Sequence, residues 1–530
     1  MIRGTHLSRS LNRWWSQPSD HSNRVRGGPA KGLGHRVSMR RKSEEHEIVI
    51  VGSGLGGLIA GALLSRSKRK VLLLKERRYQ PSFVREGYRF VPFSNFSERR
   101  LKRSLLQKIT QTLNLPPVTG DREDGRKADT RSAKAKQESA FQVILPKARV
   151  DLFCQRSIFR REWKREFSQE ADRIANFYEE MDQIVPLMRK MKSEGGSWSA
   201  FPIRFSPWIK RWLPFKSLPR ERMNEKLSTF SKEFGEFIQL QLISRGNLCS
   251  DQFPLYLAAY LLLQDEGEEW ISQVDLERVA EKILEIFTLS GGKIEEIEGV
   301  EKIEKKWLRG FVLSLKGETR VLRSRFLLFN APLHHLSHLL GKKDRKLSRW
   351  REKIQPRYNL LPVFLGIDEK VVPVGMKDLV VSILDLEKPY EGGNLLLLHL
   401  GPKGGGEWAP EGKRTLTVES LIPVGQGDTG SLDEHLKGVM RHLDHLFPFL
   451  EDYVEFTDWS WAKEQFLCWS YPHFLYETNH DFNWGEGVVP VRLSKNLYFV
   501  GKENFPYLGL EGEVVSGRLV GKQLLEKFKS

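Results

Sequence analysis

Cysteine is scarce in this chain: three residues in 530, Cys154, Cys249 and Cys468, with no paired spacing. That counts against a disulfide framework and a cysteine zinc site, and it fits a reducing compartment. Long apolar runs are missing as well. A spanning helix needs roughly 18 to 20 apolar residues in a row. The longest candidate here, Phe253 to Leu263, is too short and reads as a buried helix. No Gly-x-Ser-x-Gly follows a strand, so nucleophile-elbow hydrolysis has no support. The pairs His334/His338 and His442/His445 lack the further ligands of a metal site. No recognised nucleic-acid motif accompanies the basic charge.

What is present is length, charge and aromatic content. A chain of 530 residues suits two intertwined domains rather than one simple core. The net charge of +18 has local sources. In residues 1–45, Arg and Lys outnumber Asp and Glu ten to three, with no apolar period, so a disordered tail is expected. It has no apolar secretory core. A start at Met39, with Met39-Arg40-Arg41-Lys42 leading into the first strand, is preferred to a transit peptide. Residues 99–140 read as a basic low-complexity insertion. Residues 201–219 interleave Trp208, Trp212 and Phe215 with Arg204, Lys210 and Arg211 among prolines. That pattern suits a lipid interface, and equally a proline-broken loop packing on its own domain.

The most informative segment is Glu47 to Leu64. A β-branched run, Ile48 to Val51, enters Gly52-Ser53-Gly54-Leu55-Gly56-Gly57 and leaves as an apolar helix. In this strand–turn–helix frame Gly52 permits the tight turn, Gly54 lets backbone approach a pyrophosphate, and Gly57 lets helix pack on strand. The helix N-terminus offers free N–H groups to phosphates. Eighteen residues past Gly57, where an acid should meet the ribose, stands Lys75; Glu76 follows one residue late, on the opposite face. Further on, Phe141 to Leu145 reads as a strand and Arg160 to Met181 as one charged helix. A helix runs from Val274 to Phe287, with Gly291-Gly292 ending it. Residues 294–330 read as β structure, including the buried run Phe326 to Phe329. Strand runs recur at Leu361 to Ile367 and Asn394 to Leu400. Trp459 to Trp484 is dense in aromatics and reads as tunnel wall or as core, with Cys468 inside it. The strand Asn496 to Val500 precedes a loop at Gly501 and a helix from Gly512 to Leu525.

Three of these segments together resemble flavin-dependent oxidoreductases of the phytoene desaturase, carotenoid isomerase and retinol saturase type, within the amine oxidase-like superfamily. They are Gly52–Gly57; Gly291-Gly292 through Gly299-Val300 to Asn330-Ala331-Pro332; and Asn496 to Gly501 with Gly509-Leu510-Glu511-Gly512. The resemblance implies an α/β fold with a discontinuous Rossmann-like FAD-binding domain and an interleaved α+β substrate domain. Domain boundaries follow: a basic tail at 1–45, FAD-binding parts at 46–98, 266–335 and 491–530, the insertion at 99–140, and substrate-domain parts at 141–265 and 336–490. It implies that residues 52–57 hold the pyrophosphate, that Val300 meets adenine, and that Gly501, Lys502, Leu510, Glu511 and Gly512 lie at the flavin end, with Lys75 and Glu76 at the ribose. The departures are specific. Lys75 and Lys502 stand where acids are usual, and Glu513 where a small apolar residue is usual.

The expected function is FAD-dependent hydride transfer to or from an apolar, polyisoprenoid-like substrate. The expected location is cytoplasmic, peripheral on a membrane through residues 201–219, with no specific nucleic acid. Flavin supplies such chemistry itself, so the lack of an obvious acid–base pair is no objection. The rival expectation is a cofactor-free or weakly binding descendant serving as a membrane-associated scaffold or lipid carrier.

Overall fold

A computed structural model describes residues 43–529 apart from 79, 81, 92–100, 115–138, 195–220, 250–252, 264–269, 272, 307–309, 342–344, 404–405, 426–428, 466–472 and 479–486. Ile48, Val49 and Ile50 are fully buried at the centre of strand Ser43–Val51. A strand covered on both faces is apolar throughout rather than alternating. Val71–Glu76 and the second half of Val321–Phe329 obey the same rule. These three strands run parallel to one another and to Lys293–Ile297 and Leu497–Phe499. The hairpin Val300–Lys306 and Gly310–Leu315 joins them antiparallel, completing a seven-stranded sheet. In Gly310–Leu315, Phe311, Leu313 and Leu315 are buried and their neighbours only half-buried, the alternation of a sheet with one covered face.

Two helices cross tightly against this sheet. A Cβ on Gly517 of helix Leu510–Lys529 would lie 2.2 Å from the carbonyl oxygen of Gly56 in helix Leu55–Arg66. Helix Gln273–Leu289 lies beside them and brings Val279, Ile283 and Phe287 into the same apolar cluster. The parallel strands Ser43–Val51, Val321–Phe329 and Leu497–Phe499 end side by side, so Gly52, Asn330 and Val500 meet just beyond them. Open α/β sheets place their ligand crevices outside the carboxyl ends of their strands.

A second, eight-stranded sheet is mostly antiparallel and built around Ile354–Asp368, which pairs with Lys413–Pro423, Val454–Asp458 and Phe474–Thr478. Helix Thr429–Leu446 covers one face, packing Val439 and Leu443 on Val363, Leu365 and Val418. The other core holds Val143, Val381 and the wholly buried helix Leu255–Leu263, as Phe253 to Leu263 predicted. It is continuous with Val49, Val51, Leu72 and Leu74 of the first sheet. The mixed α/β architecture is therefore as expected.

Several elements differ from the reading of the sequence. The single helix expected over Arg160 to Met181 is two, Arg156–Glu166 and Ala171–Glu194 with a 3₁₀ turn at Ser168–Glu170. Phe167 turns inward between them, and the Glu170 carboxylate accepts hydrogen bonds from the backbone and hydroxyl of Ser231, holding the break. Within the supposed insertion, Arg103–Leu113 is a helix. Leu105, Leu106, Ile109 and Leu113 bury an apolar stripe in the core of the first sheet. The last helix begins at Leu510, two residues before Gly512. Residues 1–42 and 201–219, Cys468 and much of Trp459 to Trp484 lie outside the described residues. Among the described residues no cluster of His, Cys, Asp and Glu suits a metal, and no helix is long and apolar enough to cross a membrane.

Candidate functional site

The crevice is built by glycine and asparagine. Gly52 has φ +100°, and its N–H donates to Leu74 O at 3.0 Å, which continues the ladder while the chain turns away. Any Cβ there would stand 2.1 Å from the backbone oxygen of Asn330, so only glycine fits. Gly54 precedes the helix without a capping side chain, so Gly56 and Gly57 present uncapped N–H groups. Asn330 answers one of them: its Oδ1 accepts from Gly57 N at 3.2 Å, and its Nδ2 donates to Val500 O at 2.7 Å. Its own N–H donates to Val51 O at 2.8 Å. One side chain thus joins three segments of the chain. The sequence shows Asn330 only as the residue that stops a strand.

The second N–H is answered by Glu513. Its Oε1 accepts from Gly56 N at 3.3 Å and lies 2.6 Å from where a Cβ on Gly54 would sit. Glu513 is 8% exposed and stands in the first turn of the last helix. A carboxylate at a helix N-terminus is stabilised by the partial positive charge there. Here the N-terminal turns of Leu55–Arg66 and Leu510–Lys529 both face the same carboxylate.

Where the flavin end was expected, Gly501 N donates to Asn504 Oδ1 at 2.8 Å, and Asn504 Nδ2 donates to Val489 O at 2.8 Å. Glu503 turns inward, 2% exposed, and accepts from the backbone N–H of Leu333 at 2.8 Å. Burial pushes the Glu503 carboxyl above its usual range, opposed chiefly by that N–H. Burial also raises the Tyr476 hydroxyl, and the adjacent Glu503 adds to the effect. Lys502 Nζ lies 3.0 Å from His473 Nδ1. Gly512 packs so tightly that a Cβ would meet Phe505 O at 2.5 Å, while Leu510 is buried and Glu511 pairs with Lys108 at 3.3 Å.

The ribose end differs from expectation. Lys75 sits opposite Glu296 in parallel register and pairs with it at 3.1 Å near the surface. Glu76 continues the inward face of Leu72 and Leu74 and is buried, the alternation that a one-residue offset requires. Lys75 therefore serves the sheet edge rather than the crevice. Val300 is buried at the head of its strand, opposite Leu315. Ser53 and Leu55 are half-buried at the turn.

An FAD pyrophosphate tests this arrangement directly. The glycine turn, the Gly56 N–H and the tight last helix fit its backbone requirements, while the Gly57 N–H is already held by Asn330. The Glu513 carboxylate claims the same N–H of Gly56. Two unit charges about 4 Å apart repel by roughly 4 kcal/mol at an effective dielectric near 20. The obstruction is the far end of a flexible side chain, so the cradle fits the group once Glu513 leaves it.

No protein-family model matches the chain, and no curated protein matches it either. Solved structures do match. An oxidoreductase from Methanosarcina mazei is 14% identical with a TM-score of 0.53, over 91% of this chain and 100% of that one. A putrescine oxidase bound to putrescine is 11% identical with a TM-score of 0.53, again over 91% and 100%. A Rab GDI from Plasmodium falciparum is 11% identical with a TM-score of 0.50, over 91% and 98%. The chain has the fold of these proteins, which is the fold of solved oxidoreductases.

Proposed function

We propose that this chain is an FAD-dependent oxidoreductase of the desaturase, isomerase or saturase type, acting on an apolar polyisoprenoid. The observation that carries the reading is the convergence of Gly52–Gly57, Asn330, Val500–Gly501 and the head of the last helix on one crevice, in an oxidoreductase fold. The turn Gly52–Gly57, chiefly through the N–H of Gly56, would hold the pyrophosphate, Val300 the adenine, and the Gly501 to Gly512 loop the flavin end. When bound, FAD supplies hydride exchange at carbon. The protein's own part is positioning and exclusion of water: Phe474 is buried beside His334 and Tyr476 beside Glu503, and Phe505 and Tyr507 are buried against each other. That apolar, aromatic surround supports an apolar substrate, and contact with a membrane through residues 201–219 belongs to the same proposal.

The test is anaerobic. Protein loaded with FAD and reduced by dithionite is mixed with a polyene in detergent and, separately, oxidised protein with a diamine. Reoxidation of the reduced protein by the polyene is expected of a saturase, and bleaching of the oxidised protein by the partly saturated polyene of a desaturase. Bleaching by the diamine would move the assignment to amine oxidation.

A second reading has its own observation. Glu513 on the cradle, together with Lys75 turned to Glu296, favours a cofactor-free protein that uses the fold as a scaffold or lipid carrier. Native protein and Glu513→Ala that both stay folded and both take up no FAD, even in excess, would establish that reading.

A further inference from the structure

We propose that Glu513 is an intramolecular latch: its carboxylate occupies the phosphate cradle, and a dinucleotide binds only by displacing it. The inference rests on the flavin reading above and concerns how that site is regulated.

Three observations place the side chain there for a physical reason. The helices Leu55–Arg66 and Leu510–Lys529 are in close contact at Gly56 and Gly517, and the backbone oxygen of Glu513 would lie 2.7 Å from a Cβ on Gly56. The glutamate backbone is thereby pressed against the turn, leaving its side chain the space above Gly54 and Gly56. The two N–H groups of the turn are answered differently: Asn330 meets Gly57 with a neutral amide, and Glu513 meets Gly56 with a carboxylate oxygen. Finally, the side chain of Glu513 is buried, only 8% exposed. A buried carboxylate is held where hydrogen bonds and positive potential offset its loss of water. Two helix N-termini provide that here.

The consequence is competition between two anions for one set of N–H groups. Pyrophosphate arriving beside an unmoved carboxylate would bind about a thousandfold more weakly, from their mutual repulsion alone. Swinging Glu513 out avoids the repulsion but exposes the N–H groups until the phosphate covers them. Either way the affinity for FAD is set by residue 513.

The experiment measures FAD affinity by quenching of flavin fluorescence, with the full chain and with Glu513→Gln and Glu513→Ala. Thermal unfolding of each confirms that it is folded. Glu513→Gln keeps the hydrogen bond to Gly56 and removes only the charge; it carries the test if Glu513→Ala fails to fold. The expected result is FAD binding at least about a hundredfold tighter in Glu513→Ala than in the native chain, with Glu513→Gln between them. Native protein that holds stoichiometric FAD, with neither variant tighter, would overturn the latch and leave the flavin reading standing. Three folded proteins that all ignore FAD would overturn both.

Discussion

Asn330 makes the clearest single-residue case. Its amide satisfies the N–H of Gly57 and the carbonyl of Val500, and both partners are buried. Replacing it with alanine leaves two buried polar groups unmatched, each costing about 1–3 kcal/mol. Asn330→Ala should therefore lower the urea midpoint by an amount equivalent to at least about 2 kcal/mol, with the slope unchanged. An unshifted midpoint would show that water replaces the amide. Gly52 is less tolerant still. Its φ of +100° and the 2.1 Å approach to Asn330 O leave no room for a methyl group. Gly52→Ala is expected to cost about 3 kcal/mol or more through strain and overlap. Loss of soluble expression, or a matching fall in midpoint, checks it. Of these two, Gly52 was legible in the sequence because its turn is local. Asn330 was not, because its partners lie 273 and 170 positions away.

At the scale of elements the decisive feature is the helix crossing. Alanine exceeds glycine in helix propensity by about 1 kcal/mol, so in an open position Gly517→Ala would stabilise helix Leu510–Lys529. The 2.2 Å approach to Gly56 O reverses the sign. Gly517→Ala should destabilise by about 1–3 kcal/mol as the helices are pushed apart. A higher melting temperature for this variant would refute the tight crossing. Other elements teach why charge misleads. Helix Arg103–Leu113 opens a basic stretch, and its apolar stripe was hidden by the lysines and arginines between. The break at Phe167 is held by hydrogen bonds from Ser231, 61 positions away, to the Glu170 carboxylate, which no local pattern announces. Runs buried on both faces, by contrast, were readable directly, because burial on both sides demands apolar residues at every position.

Over the whole molecule, buried histidines set the response to acid. Burial lowers His334 to about 4, His335 to about 3, and His435 and His442 to about 4. His435 accepts or donates at Ser420, and His442 at Ser382, inside the second sheet's core. Their folded values lie below the ordinary 6.5, so the unfolded chain takes up protons first. Stability is full above pH 6.5 and declines as pH falls toward 4, by up to about 1.4 kcal/mol per pH unit for each group. Glu236 and Glu503, raised by burial, act with the opposite sign, adding stability as pH falls through their folded values. Four histidines outweigh two acids across pH 6.5 to 5. The thermal midpoint should fall steadily between those values, and a flat profile would contradict the burial of the imidazoles.

The sequence alone determined what depends on neighbours: the strand–turn–helix at Gly52, the buried strands, the helix Leu255–Leu263, the α/β class, and the odd placement of Lys75, Lys502 and Glu513. These follow from backbone sterics and the period of burial, which a local pattern carries. Only the tertiary structure decided where those odd residues went. Lys75 met Glu296 on an adjacent strand, Lys502 met His473, and Glu513 met Gly56, 457 positions distant. The hydrogen bond from the Gly56 N–H to the Glu513 carboxylate exists only after folding has brought the two helix ends together.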